Sequence, residues 1–319
     1  MEQFLKTIYV IFENILLIIL IMELIIGNLG NGFMALVNSI DWVKRKKISL
    51  VNQILMALAT SRIFLLWLLF TSLLISSLYP DSTKSSSMIK GLNNAWIIAN
   101  HFSIWLATCL SLFYFLKISN FSNSLFLYLK WRLKKSISVT MVGSLVLLFL
   151  NILLFNLEIN VCIDKYERNI SYSFGSHYHA KCKRYVLGLH AIFLSVPFAV
   201  TLSAFHLLIF SLWTHHKKMQ QHVQGCRDTG TTAHIKALQS VTAFILLFTI
   251  FILCLLVQLW NYELLEKSLF ILFFEVVYVA FPSFHSCILI LGDMKLRQAS
   301  LSLLLWLKCR CNYMATLYF

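Results

Sequence analysis

Charge is scarce in this chain, and acid is scarcer than base. Only 13% of its 319 residues are charged, with 13 Asp and Glu against 27 Lys and Arg. A soluble domain carries roughly 25% charged residues, so a fold that meets water on every side is excluded. Proline and glycine are few, at 3 and 10, so the chain is not loop-rich. The alternation of a transmembrane β-barrel is missing. A helical zinc pattern such as H-E-x-x-H is missing too, although His215, His216, His222 and His234 fall in one stretch. No acid stands beside them as a base, and solvated loop histidines account for them; no metal or cofactor is expected. The net charge of +14 invites a nucleic-acid reading. Its distribution argues against that partner, because the basic residues collect in short loops on one side of a membrane.

What is present is apolar sequence. The chain is 59% hydrophobic and its mean hydropathy is strongly positive. A spanning helix needs about 20 mostly apolar residues. Seven stretches qualify, at about 8–38, 50–79, 92–118, 137–158, 185–213, 236–260 and 268–291. Lipid offers the backbone no hydrogen-bond partners, so these are helices. The expected fold is an all-α membrane protein, a seven-transmembrane helix bundle forming one domain over residues 1–319 with the lipid bilayer as a partner. The first run is too long for a signal-peptide core and lacks a cleavage site, which suits an uncleaved signal anchor.

Orientation follows from Lys and Arg. Lys44–Lys47, Lys130, Arg132, Lys134, Lys135, Lys217, Lys218, Arg227 and Lys236 occupy one set of loops, and Lys295, Arg297, Lys308 and Arg310 the tail. The opposite loops carry Lys and Arg diluted by Asp81, Asp164, Glu167, Glu263 and Glu266. The first set is expected in the cytoplasm, with the N-terminus outside and the C-terminus inside. Residues 293–308 mix leucines with polar residues and suit a short amphipathic helix on the inner leaflet. Cys309 and Cys311 behind it are either plain thiols or palmitoylation sites.

Cys109, Cys254 and Cys287 fall within spans and read as packing residues. Cys162 and Cys182 share the second outer loop, where a disulfide can form. No cysteine near residues 88–98 is available to tie that loop to the third span. Spacing does not prove pairing, so a bridge and two thiols both stand. Asn169-Ile170-Ser171 is a glycosylation sequon in the same loop. Asn120-Phe121-Ser122 also matches, at the cytoplasmic end of the third span, beyond reach of the transferase.

Polar groups inside a span are costly and usually face the bundle interior. Arg62 in the second span is the sharpest case. Its guanidinium needs acceptors, expected from Asn31 in the first span and from Ser283, His285 and Ser286 in the seventh. Such a group is either a structural clasp or a switch between packings. In the third span Asn93, Trp96, Asn100 and Ser103 follow a 3-4-3 spacing and share one face. An aromatic beside an amide is either packing or a ligand surface, where a ring gives broad contact and an amide orients. Glu275 sits ten residues, nearly three turns, before His285. That acid either pairs internally or meets a cationic ligand. Pro197 and Pro282 lie inside spans and are expected to kink them.

The segment WLATCLSLFYFLKISNFSNSLFLYLKWR, from Trp105 to Arg132, closely resembles the third span and second inner loop of type 2 (bitter) taste receptors. The third span ends Phe113-Tyr114-Phe115-Leu116-Lys117 in place of Asp-Arg-Tyr. The seventh runs Pro282–Ile290 without Asn-Pro-x-x-Tyr. Leu212–Met219, Arg227-Asp228, Ala233–Leu238 and the arginine at position 62 add to the resemblance. Asp293 and Gln239 depart from it, where relatives usually have asparagine and commonly lysine.

The resemblance implies a plasma-membrane receptor that takes small bitter compounds from outside. It implies coupling to a gustducin-type or Gi-like α subunit with βγ, then phospholipase C and calcium release. It places Trp96 and Asn100 in the ligand pocket, with Asn93 on their face, Glu275 at pocket depth, and Phe251 where relatives often carry a tyrosine below the ligand. It makes Tyr114, Lys117, His215, His234 and Lys236 candidates for G-protein contact. No covalent chemistry is expected of it. Four rivals remain: a seven-helix receptor for another small molecule, a rhodopsin-like peptide receptor, against which the missing signature motifs count, a transporter, which would favour internal repeats, and a membrane enzyme, which would need a nucleophile–base–acid set.

Overall fold

The computed structural model describes residues 2–46, 48–78, 86–168, 175–220, 229–261 and 268–317. Among them are nine helices and no strand. They are α1 Glu2–Arg45, α2 Leu50–Leu78, α3 Ser86–Ile118, α4 Ser124–Trp131, α5 Leu133–Arg168, α6 Gly175–Gln220, α7 Thr229–Trp260, α8 Ser268–Gly292 and α9 Met294–Leu317. Seven of them, all but α4 and α9, contain segments long and apolar enough to cross a membrane. Asn169 lies outside the described residues, as do the side chains of Cys182, His215, His234 and Lys236.

Many hydroxyl groups in these apolar helices are satisfied locally. Thr60, Thr71, Ser111, Thr140, Ser203, Thr242 and Thr249 each donate to the carbonyl four residues earlier. That bond lets a polar side chain sit in lipid without losing its partner. α1 stops at Lys46, which adopts a left-handed φ of 52° and donates its N–H to the Trp42 carbonyl at 2.9 Å. The turn delivers the chain to α2.

The helices pack in a ring around α3. α1 lies against α2 and α8, α2 against α3, and α3 also meets α5, α6 and α7. α3 is therefore buried nearly all round from Ile97 to Leu116. α5 lies at the periphery and turns Val139, Val142, Val146, Phe149 and Leu153 outward. These outward residues have the chemistry of a lipid-facing stripe. The main core joins Met34, Leu58, Ile104, Leu110, Phe244, Phe248 and Phe281.

Two elements differ from the sequence expectation. The second inner loop contains α4, whose start is capped by Asn123: its Oδ1 accepts from Leu125 N–H at 2.9 Å and Phe126 N–H at 3.3 Å. Phe126 buries its ring against Phe115 and Phe121. The C-terminal helix runs on to Leu317, beyond the expected end near 308. Asp293 starts it by accepting from Lys295 N–H and Leu296 N–H at 2.9 and 3.0 Å.

Candidate functional site

The deepest polar group is Arg62. Its side chain is 0% exposed, and α2 aims it across the bundle at α8. Nη1 donates to Ser286 Oγ at 2.8 Å and Nη2 to His285 Nδ1 at 2.6 Å. A guanidinium only donates, so His285 must present an unprotonated Nδ1 and carry its proton on Nε2. Ser286 Oγ also lies 2.7 Å from both Asn31 Oδ1 and the Pro282 carbonyl, two acceptors for one proton. Asn31 in turn donates to the Gly27 carbonyl at 2.7 Å. Asn31 thus reaches Arg62 only through Ser286. Ser283 is drawn elsewhere and donates to the Glu23 carbonyl at 3.0 Å. The outcome is a three-helix clasp of α1, α2 and α8. Gly27 makes it possible, because a Cβ there would run into Ser283 Oγ and Leu66 Cδ1.

An aromatic column rises from the clasp. His285 stacks on Phe244 at 5.1 Å, and Phe244, Phe248, Phe251 and Phe281 pack ring to ring above it. Phe251 meets Tyr278 at 5.1 Å, and Tyr278 Oη accepts from Gln258 Nε2 at 2.5 Å.

Above the column is a cavity of about 410 Å³. Its walls are the C-terminal parts of α2 and α7 and the N-terminal parts of α3, α6 and α8. In an up-and-down bundle all of these lie at the end where α1 begins. The Tyr9 hydroxyl confirms the register by accepting from Leu269 N–H at 3.2 Å. A volume of a few hundred Å³ suits a small organic molecule.

Three expected residues meet here: Asn93, Trp96 and Glu275 line the cavity. Asn100 does not. It is buried one turn below Trp96, in a separate small chamber. Phe251 is buried in the aromatic column and borders neither space. Ser72, His190, Gln258 and Tyr278 line the cavity without having been singled out. His190 stacks on Trp96 with centroids 4.9 Å apart and planes 14° from parallel. Three of these were within reach of a sequence reading: His190 and Gln258 are strongly polar residues inside apolar spans, and Tyr278 is one turn from Glu275.

At the opposite end, Tyr114 is half-buried and Lys117 exposed, with Lys117 Nζ 5.3 Å from the centre of the Phe113 ring. Lys130 donates to the Ser119 carbonyl and to Asn120 Oδ1 at 2.7 and 2.6 Å. Lys295 bridges α9 to α1 through Asn38 Oδ1 and Asp41 Oδ2 at 3.1 and 3.0 Å. At the cavity end, Cys162 is disulfide-bonded. Among the described residues no group of three or more His, Cys, Asp or Glu is placed to hold a metal ion.

Seven membrane-length helices around a polar clasp, with a ligand-sized cavity at one end, make up the architecture of a multi-pass helical receptor. Comparison with known proteins names the class further. Residues 9–308 match the family model described as "Taste receptor protein (TAS2R)". The chain is 68% identical to taste receptor type 2 member 109 of Rattus norvegicus, over 99% of both chains. It is 65% identical to taste receptor type 2 member 109 of Mus musculus, over 98% of this chain and 99% of that one. With member 14 of Macaca mulatta the identity is 50%, over 95% of each. The chain belongs to the type 2 taste receptor family, and is a bitter-type receptor of the membrane.

Proposed function

We propose that this receptor forms one domain in the plasma membrane, with its N-terminus outside and its C-terminus in the cytoplasm. It takes a small bitter compound from the extracellular side and activates a gustducin-type, Gi-like heterotrimer, with phospholipase C and calcium release downstream. The observation that carries the reading is the cavity of about 410 Å³ where Asn93, Trp96 and Glu275 converge at the N-terminal end of the bundle. Trp96 offers a broad ring face, Asn93 an orienting amide, and Glu275 a carboxylate suited to a cationic compound such as an alkaloid amine. Asn100 supports Trp96 from one turn below, and Phe251 backs Tyr278, through which a ligand presses on the aromatic column.

Binding energy acts on the bundle only if it differs between two packings. The clasp of Asn31, Arg62, Ser283, His285 and Ser286 supplies the bistable element, coupled to the cavity through the aromatic column. Its rearrangement opens the other end, where Tyr114, Lys117, His215, His234 and Lys236 meet the α subunit. The output is a change of packing, so the protein acts as a receptor and not an enzyme. Cys162 pairs with Cys182 to shape the outer loop, and Asn169 carries a glycan. The exposed leucines and Trp306 of α9 suit a helix resting on the inner leaflet.

The test is calcium release in cells co-expressing the receptor with a promiscuous Gα, screened against bitter compounds, with surface expression matched. Wild type responds and Trp96→Ala loses potency or response. An unchanged response in Trp96→Ala places the agonist elsewhere.

A further inference from the structure

Beneath the Trp96–His190 stack lies a second chamber of about 20 Å³, bordered by Asn100 of α3, Asn151 of α5, and His190, Phe193 and Pro197 of α6. It is far too small for an organic ligand. One water needs roughly 10–15 Å³ of such space and two to four polar partners.

The chamber supplies those partners from three helices. Asn151 is 9% exposed and its Oδ1 makes no hydrogen bond within the protein. His190 is 6% exposed and its Nδ1 makes none either. Asn100, 6% exposed, brings an amide with both donor and acceptor. Pro197 adds a fourth group. It has no N–H, so the helical bond to the Phe193 carbonyl is missing, and Phe193 borders the same space. Buried polar groups are nearly always hydrogen-bonded, to protein or to ordered water. Four such groups around one water-sized chamber, all short of a protein partner or able to take another, are hard to explain as a dry pocket, since dry cavities have apolar walls.

We propose that this chamber is a binding site for one ordered water. It donates to Asn151 Oδ1 and the Phe193 carbonyl and is hydrogen-bonded by Asn100 and His190. The water joins α3, α5 and α6 at the floor of the large cavity and fixes His190 against Trp96. A compound that reaches below the ring pair must displace it and replace its bonds, which sets a polar requirement on deep-reaching ligands. That consequence rests on the large cavity being the agonist site; the water site does not.

The test is electron cryomicroscopy of the full-length receptor, at a resolution that shows ordered water, for wild type and Asn151→Leu. The wild-type map shows a peak within hydrogen-bonding distance of Asn151 Oδ1 and His190 Nδ1. The leucine, similar in shape and without polar atoms, removes it. An empty chamber in wild type overturns the proposal, as does direct closure of Asn100 or His190 onto Asn151. A peak unchanged in Asn151→Leu overturns the role of Asn151. Should the variant fail to fold, the wild-type map decides alone.

Discussion

Arg62 Nη2 lies 2.6 Å from His285 Nδ1, between α2 and α8 and out of reach of solvent. The same guanidinium holds Ser286 at 2.8 Å. One cation therefore closes two adjacent residues of α8 onto α2, and Ser286 passes the connection to Asn31 of α1.

Arg62→Lys tests the two-pronged geometry. An ammonium is a point charge on a flexible stem and does not reproduce the planar fork. Losing one charge-assisted bond costs about 1.5–3 kcal/mol. The detergent-purified variant is expected to melt at a lower temperature than wild type, with reduced surface expression.

Ser286 and Ser283 are one turn apart with unequal roles. Ser286 serves Arg62, Asn31 and the Pro282 carbonyl, whereas Ser283 serves the Glu23 carbonyl. Ser286→Ala is expected to cost about 1.5–3 kcal/mol and Ser283→Ala about 0.5–1.5 kcal/mol. A double-mutant cycle of Asn31→Ala with Ser286→Ala, read by thermal unfolding, is expected to be non-additive. Additive costs would mean that Asn31 and Ser286 are not linked.

Gly27→Ala puts a methyl into Ser283 Oγ and Leu66 Cδ1. Overpacking of this kind costs typically about 1–3 kcal/mol. Ser283→Ala in the same chain removes one of the two obstacles. The double variant is expected to be more stable than the sum of its parts, measured again as a melting shift.

The helices were legible because lipid leaves an apolar run of sufficient length few alternatives, as at 50–79 and 236–260. The clasp was legible in part. A buried arginine demands acceptors, and α8 supplied them, but which serine faced it depended on the rotation of α8. Ser286 turned to Arg62 and Ser283 to Glu23. α4 was missed because its signal is a single capping residue, Asn123, ahead of an eight-residue run. In the cavity, Asn93 and Trp96 share a helical face and arrive together. Asn100 lies on that face too, one turn deeper, where His190 and Trp96 close the space above it. That His190 stacks on Trp96 became visible only once α6 was packed on α3.

Glu275 lines the large cavity. Glu275→Gln keeps the shape and removes the charge. Potency for cationic agonists is expected to fall about tenfold or more, the equivalent of about 1.4 kcal/mol, with little change for neutral ones. Calcium dose–response curves for a matched amine and its neutral isostere make the comparison. Equal losses for both would assign Glu275 a structural role.

Asp293 caps α9 through Lys295 N–H and Leu296 N–H. Asp293→Ala is expected to cost about 0.5–2 kcal/mol locally, whereas asparagine caps equally well. Hydrogen exchange at the first-turn amides of α9 should therefore quicken in Asp293→Ala and stay near wild type in Asp293→Asn.

The central claim is that the cavity at the N-terminal end of the bundle opens outward and receives the agonist. Ser72 lines it, so the most direct measurement is labelling of Ser72→Cys in intact cells with a membrane-impermeant thiol reagent, with and without agonist. The account predicts that the reagent modifies Ser72→Cys but not wild type, that agonist slows the reaction, and that modification abolishes the calcium response. A Ser72→Cys that is expressed at the surface and responsive, yet modified at the same rate with and without agonist, would contradict it.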